Sequence, residues 1–397
     1  MNLDIILALI FYILLLIFYF FNKERFEVKA KIFFICRTKL GIKLMDKLAK
    51  NFKFILKPIS YLSIVVGFAG MAFISYVIIK GTFALLFIPN SPPALAPIFP
   101  GVKVPGLPNL SFWHWIISIF IVAVIHEFSH GVFARLFKIK VQNTGFLFFG
   151  PILGAFVEPD EKQLLKTSKR EQLAVLSAGP FSNIVLAMIL LLLFTFVTHP
   201  IQSKILEFDN IQVNKLIPDF PAAKANIPTP FIIKTINEKE IKNKSDFTAI
   251  TDQIKPNQKI SLETNKGKYE LITAENPQNK SRGFLGVTDF SINTKFKKSI
   301  NPVLGNIFVW LFGDAGLIFW LFVVNLGIGL FNLLPLGPID GGRMFLVLST
   351  IIFKEEEKAQ RFWSLISYAL LIIILINLMP YFLKFFTFLI KPFISVG

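Results

Sequence analysis

His126-Glu127-Phe128-Ser129-His130 places two imidazoles and a carboxylate inside the apolar run 112–137. Ionisable side chains at membrane depth are costly and rarely idle. If the run is a helix, positions i and i+4 share a face, so His126 and His130 can grip one ion. Glu127 is turned about 100° from His126 and flanks the ion without having to bind it. This is the arrangement of a metal-activated water with a base beside it. Two histidines hydrogen-bonded between helices would be the plainer account, but it leaves costly polar groups in lipid without a task.

Catalytic zinc takes three protein ligands and keeps one position open, so the pair needs a third side chain. His114 lies on the same helix, about 18 Å away along it, too far to share an ion with His126. His199 falls at the outer end of a later apolar run, and Asp314, between Gly313 and Ala315, reads as the cap of another. Asp340 differs. It sits just past an apolar run in Leu334-Pro335-Leu336-Gly337-Pro338-Ile339-Asp340-Gly341-Gly342-Arg343, where prolines and glycines loosen a helix and let a carboxylate swing inward. An Asp-Gly turn at a membrane surface would look the same; beside the buried histidines the metal account is the stronger. The expected ligands are His126, His130 and Asp340, holding one zinc ion per chain, with Glu127 as general base.

Composition demands apolar elements to position these groups. Hydrophobic residues make up 54% and charged residues 17%, and mean hydropathy is +0.61, which excludes an ordinary soluble domain. The net charge of +17 does not point to nucleic acid, because the basic residues gather beside apolar runs rather than among aromatics. The single cysteine, Cys36, excludes an internal disulfide and a cysteine-rich metal site.

About six membrane spans are expected, at 5–21, 61–79, 112–137, 173–197, 315–334 and 365–379. The first lacks a preceding basic region and a following small-residue cleavage site, and reads as a retained helix. A dense basic loop follows it, from Lys23 to Lys57, which the positive-inside rule assigns to the cytoplasm. The proline-rich segment 89–110, with Lys103 its only charge, then lies outside. Arg135, Lys138 and Lys140, and later Arg343, Lys354 and Arg361, agree with this orientation. It puts the amino terminus outside and the histidine pair in the cytoplasmic half of the bilayer. The polar insert 201–294, with turn residues at Pro256-Asn257 and Lys266-Gly267, reads as a small extracytoplasmic α+β domain. The tail after Pro380, broken by Lys384 and Lys391, reads as interfacial. The chain thus divides into 1–111, a two-helix membrane region; 112–200, the first part of a membrane core; 201–294, the insert; and 295–397, the second part of the core.

These motifs resemble the site-2 protease family of intramembrane zinc metalloproteases. His126-Glu127-Phe128-Ser129-His130 is similar to the family's first motif, and Asn332-Leu333-Leu334-Pro335 through Asp340-Gly341 to its second. Ala178-Gly179-Pro180-Phe181-Ser182-Asn183 resembles its motif in the helix after the histidines, and residues 154–161 its membrane-associated β-loop. The insert is similar to the PDZ domains of many members, although Pro228-Thr229-Pro230 replaces the usual Gly-Asp turn and a Gly-Leu-Gly-Phe-like loop is not evident. Size filtering of bulky ectodomains is therefore weighed equally with capture of a carboxyl terminus. The resemblance implies a polytopic helical membrane protein with a membrane-associated β-hairpin and a PDZ-like domain. Its implied activity is hydrolysis of peptide bonds within transmembrane segments after a prior ectodomain cut by an upstream site-1-type protease. It also implies that Asn332 steadies the reacting carbonyl, a role open to a simple interhelical hydrogen bond instead. The expected partners are substrate transmembrane segments and the lipid bilayer, without nucleic acid. A zinc transporter or metal-regulated channel is a second reading, weakened because the ionisable residues gather at one depth. An inactive scaffold is a third, weakened by the presence of Glu127.

Overall fold

The computed structural model describes residues 3–29, 33–89, 91–102, 104, 106–149, 152–277 and 279–394. Lys103, Gly150 and Pro151 lie outside the described residues. The chain forms two compact units, one of them Val197–Val309 and the other the remainder.

The larger unit opens with α1 (Leu3–Phe21), followed by β1 (Phe26–Lys29), β2 (Phe33–Thr38), α2 (Ile42–Asn51) and α3 (Lys53–Phe87). Next come α4 (Phe112–Leu136), β3 (Val141–Phe149), β4 (Ile152–Pro159), α5 (Glu161–Lys166) and α6 (Lys169–Leu193), which continues through a π-helical stretch, Phe194–Thr198. α6 is the hub of the bundle, touching α3, α4 and two later helices. It begins with a capping box in which Ser168 and Glu171 satisfy each other's orphan amides. α3 meets the bundle through Ser60, Ser63, Gly67, Met71, Ile74, Ile78 and Thr82, a stripe at steps of three and four. Lipid tails are as apolar as the helices, so close approach depends on small residues and interhelical hydrogen bonds. A Cβ on Gly67 would strike Met344 and crowd Ser177, and Ser63 Oγ lies 2.7 Å from Ser177 Oγ.

The segment expected as a hairpin belongs to a larger sheet. β1, β2, β3 and β4 form a four-stranded antiparallel meander, so the dense basic loop supplies two strands and the amphipathic α2 rather than charge alone. The two strands in the basic loop were not foreseen, because pairing between segments about a hundred residues apart leaves no local trace. Gly145 pairs with Arg37 on one side and Phe156 on the other, and a Cβ there would collide with the Cys36 carbonyl and the Phe156 ring. β3 is interior, which leaves β4 as one edge of the sheet.

The second unit holds α7 (His199–Ile205), β5 (Leu206–Leu216), α8 (Pro221–Lys224), β6 (Phe231–Ile236), β7 (Lys239–Glu240), α9 (Lys244–Gln253), β8 (Lys259–Thr264), β9 (Gly267–Ile272), β10 (Ala274–Asn276), β11 (Asn279–Phe284) and β12 (Val287–Phe296). Its main sheet runs β12-β5-β6-β8-β9, with β7 paired to β6. Lys266-Gly267 turns β8 into β9, and Asn257 adopts the left-handed region as a turn residue does. Ile211, Val213, Phe231, Ile236, Ile260 and Leu262 form its core, each no more than 1% exposed.

α10 (Pro302–Phe312), α11 (Leu317–Phe331), α12 (Asp340–Phe353) and α13 (Glu356–Ile394) end the chain. The fifth expected span starts earlier than read, as α10 and α11 in series, and Gly316 rather than Asp314 occupies the cap of α11. α12 was not foreseen, because Gly341-Gly342 and Arg343 in its first turn disguise a helix start. The tail read as interfacial continues α13 without interruption past Pro380. Among the described residues, five helices are long and apolar enough to cross a membrane, and Ile6–Phe21 form a shorter apolar helix.

Replacing Ile211 with Ala should cost the second unit about 2–5 kcal/mol. Hydrogen exchange should quicken at the β5, β6 and β12 amides while bound metal is unchanged.

Candidate metal centre

α4 begins at Ser111, whose hydroxyl accepts the His114 amide, and carries His126 and His130 one turn apart on the face toward α6. Both are buried. Their Nε2 atoms stand 3.2 Å apart, and Asp340 Oδ2 lies 3.0 Å from the first and 3.3 Å from the second. Among the described residues these three form a group able to hold a metal ion.

Asp340 reaches the pair because α11 stops. After Phe331 the chain turns through Asn332, and its carbonyl accepts the Gly341 amide at 2.7 Å. Side chains at Gly341 or Gly342 would strike the backbone of residues 333–337, so only glycine lets α12 restart against the turn it has just left. Asp340 is the first residue of α12. Arg343 pairs with Glu161 of α5 at 2.9 Å and anchors the same turn.

The imidazole protons are held away from the centre. His130 Nδ1 lies 2.7 Å from the Val175 carbonyl; a carbonyl only accepts, so Nδ1 carries the proton and a neutral ring presents its Nε2 lone pair. His126 Nδ1 lies 3.0 Å from the Asn183 amide. Asn183 is fully buried with Oδ1 lacking a partner. Turned by half a rotation, that amide offers Oδ1 to a protonated Nδ1, which satisfies the orphan oxygen and leaves His126 Nε2 as a lone pair. Two lone pairs and a carboxylate oxygen then converge. A tetrahedral zinc with bonds of ~2.0–2.1 Å spaces its ligands about 3.3 Å apart, and the donor set fits. Gly179 guards the space, since a Cβ there would strike Nε2 of both histidines.

Glu127 turns toward the sheet. Its Oε2 accepts the Val157 amide of β4 at 3.0 Å, and its side chain lines a cavity of about 80 Å³ with Thr144, Phe146 and Ala155. Because Val157 N–H points away from β3, the period of two puts the outward N–H and C=O groups of Ala155 and Leu153 on the same free edge. Asn332 holds the Asp340 turn through its main-chain carbonyl and is one of the residues lining a cavity of about 550 Å³. His114 is buried between Ser111 Oγ and the Trp310 carbonyl, each 2.9 Å away, and stacks on the Trp310 ring. His199 opens α7 in the other unit, and Asp314 lies in the break between α10 and α11. Asn183, Gly179 and the Val175 carbonyl had no role in the sequence reading. An Asn inside an apolar helix was the one available signal, since buried amides in lipid need partners.

The profile of Peptidase family M50 matches residues 114–374, more than half the chain and the stretch that contains His126, Glu127, His130, Val175, Gly179, Asn183 and Asp340. The chain belongs to this family. It is a multi-pass membrane metalloprotease of the site-2 protease family. An uncharacterized protein of Methanocaldococcus jannaschii is 29% identical over 92% of this chain and 90% of its own length. A Fusobacterium nucleatum protein named as a zinc metalloprotease is 24% identical over 59% of this chain and 82% of its own. The protein named as the protease eep of Enterococcus faecalis is 24% identical over 48% of this chain and 53% of its own. A solved PDZ domain from Listeria innocua covers 20% of this chain and 92% of that domain at 15% identity, with a TM-score of 0.18, a likeness that carries no fold assignment for Val197–Val309.

Exchange of Asn183 for Leu removes the partner of a ligand ring and should weaken metal binding by about 10–100-fold. Chelator competition on the purified M50 protein measures this, and helix content by circular dichroism should not change.

Proposed function

We propose that this M50 protein is an intramembrane zinc endopeptidase that cuts peptide bonds inside the membrane segments of other proteins. The observation that carries this reading is the convergence of His126, His130 and Asp340 within 3.0–3.3 Å, beside a carboxylate that faces a free strand edge.

His126, His130 and Asp340 hold the ion. When bound, zinc supplies Lewis-acid polarisation of the scissile carbonyl and acidifies water. Glu127 takes the proton of the attacking water as the C–O bond forms and delivers it to the leaving nitrogen as the C–N bond breaks. The Asn332 amide donates to the developing oxyanion. Gly179 keeps the reacting volume clear, and Val175 and Asn183 hold the rings in the ligating tautomer.

A helical substrate hides its peptide bonds in its own hydrogen bonds and must unwind. The outward edge groups of Leu153 and Ala155 take up the unwound segment as an added strand, one residue pair from the amide that holds Glu127. The remaining expectations extend the same reading. The histidine pair lies in the cytoplasmic half of the bilayer, with the amino terminus and Val197–Val309 outside. Substrates are membrane stubs or signal-peptide remnants left by an earlier ectodomain cut, and the outer unit excludes bulky ectodomains.

In purified protein given a membrane-segment substrate, Glu127→Gln should retain zinc and lose cleavage by several orders of magnitude; persistent proteolysis would sink the assignment. Zinc uptake into vesicles by the wild type would favour transport instead. Ala155→Pro, which removes an edge donor and bends β4, should abolish cleavage with zinc still bound, and retained activity would refute strand pairing.

A further inference from the structure

The cavity beside Asn332 has no task in the chemistry above. Its volume of about 550 Å³ is in the range of ligand sites rather than packing defects. Its walls are apolar: Ile74 of α3, Trp115 and Ile119 of α4, Gly327 and Ile328 of α11, and Ala96 of the proline-rich segment before α4.

That segment is built into the bundle. The Ala94 amide donates to Asn377 Oδ1 at 2.9 Å, and the fully buried Asn377 donates in turn to Thr82 Oγ1 at 2.6 Å. Trp115 Nε1 donates to the Ile98 carbonyl at 3.0 Å. At Gly81 a Cβ would collide with Ala94, so α3 is carved to admit the strap. Two hydrogen bonds to the segment, a third that fixes Asn377, and a glycine thus hold residues 94–98 as a fixed wall.

The cavity points at the metal centre. Trp115, Ile119 and His126 are spaced by four and seven positions, so all three lie within about 20° of one helical stripe. Ile119 is about 10 Å from His126 along α4, toward its amino-terminal end. At the opposite wall the lining residues of α11 end with Asn332, whose carbonyl holds the turn that presents Asp340. An extended chain rises about 3.3 Å per residue, so a segment with its scissile bond at the centre reaches Ile119 about three residues away.

Gly327 is a second, independent sign. Glycine inside a helix is destabilising relative to alanine. The bundle glycines 67, 70, 81, 131, 179 and 329 are each required by a neighbour that a Cβ would crowd or strike. At Gly327 a Cβ would meet only Ile98 Cδ1, at 3.8 Å. Packing does not require glycine here, and its effect is to keep the cavity open.

We infer that this cavity is a specificity pocket, which receives a large apolar side chain of the substrate about three residues from the scissile bond, on the flank that runs toward the α4 amino terminus. The inference rests on the intramembrane protease reading and adds to it a substrate preference at a defined position.

The test uses the purified full-length protein in liposomes with a membrane-segment substrate whose cut site has been mapped by mass spectrometry. Ala, Leu, Phe or Asp is placed three residues to either side of the cut. The wild type should prefer Leu or Phe over Ala and Asp on one flank by about tenfold in kcat/KM. Gly327→Leu and, separately, Ala96→Leu should fill the pocket and lower cleavage of the Phe substrate about tenfold, while the Ala substrate stays within twofold and zinc content is unchanged. Equal preference on both flanks in an active wild type would overturn the pocket alone. So would a uniform loss across all substrates in both variants, or photo-crosslinking of a diazirine lipid to position 96 with side-chain preference unaffected by filling. No cleavage by the wild type would overturn the protease reading and the pocket with it.

Discussion

Two imidazole lone pairs and a carboxylate oxygen facing one another at 3.0–3.3 Å inside a helical bundle repel unless a cation lies among them. Burying charge without a partner is among the costliest things a fold can do, and with both Nδ1 atoms engaged outward a metal ion satisfies all three inward donors at once. The Val175 carbonyl takes one ring proton outward and Asn183 serves the other ring. Gly179 brings the α6 backbone close enough that no side chain intrudes. The centrality of α6, the termination of α11 at Asn332 and the restart of α12 at Asp340 all follow from bringing three donors to one point.

What could be read from the residues follows from how far apart the interacting groups are in sequence. The histidine pair and Glu127 were legible because a helix converts a spacing of four into a shared face. Asp340 was legible because prolines and glycines announce a broken helix. The positions of α3, α4 and α6 came from apolar length alone. Asn183 and Gly179 were visible as residues of a motif, yet their task depends on which helix packs against α4, and apolar runs do not state their neighbours. The sheet formed by β1 to β4 was hidden for the same reason: β2 meets β3 across a gap that contains three helices, α2, α3 and α4. α12 was missed because the glycines that permit its tight restart look like a loop.

The proline-rich strap is the clearest case of a feature that changed in meaning. As sequence it is an exposed loop with several prolines. In the fold, Asn377 from the last helix and Trp115 from α4 hold its backbone, so its lack of regular structure is compensated by side-chain partners. Irregular backbone is tolerated where protein surrounds it or where it lines a cavity, and residues 94–98 do both.

The same rule constrains what the centre can act on. A membrane segment gives up its internal hydrogen bonds when it unwinds, and each peptide group left unpaired in apolar surroundings costs several kcal/mol. Proteolysis inside a bilayer therefore needs replacement partners along the whole exposed stretch, not only at the scissile bond. At β4 the Val157 amide is already committed to Glu127, which fixes that carboxylate, while the neighbouring edge positions at Ala155 and Leu153 are of the right kind and direction to pair with a strand. A strand also turns its side chains alternately to opposite sides, so one set can enter an apolar cavity while the main chain remains bonded. On the proposed reading, backbone capture at the sheet edge and side-chain selection in the bundle are compatible demands on one extended segment, because the Val157 amide that holds Glu127 and the edge positions beside it belong to the same strand.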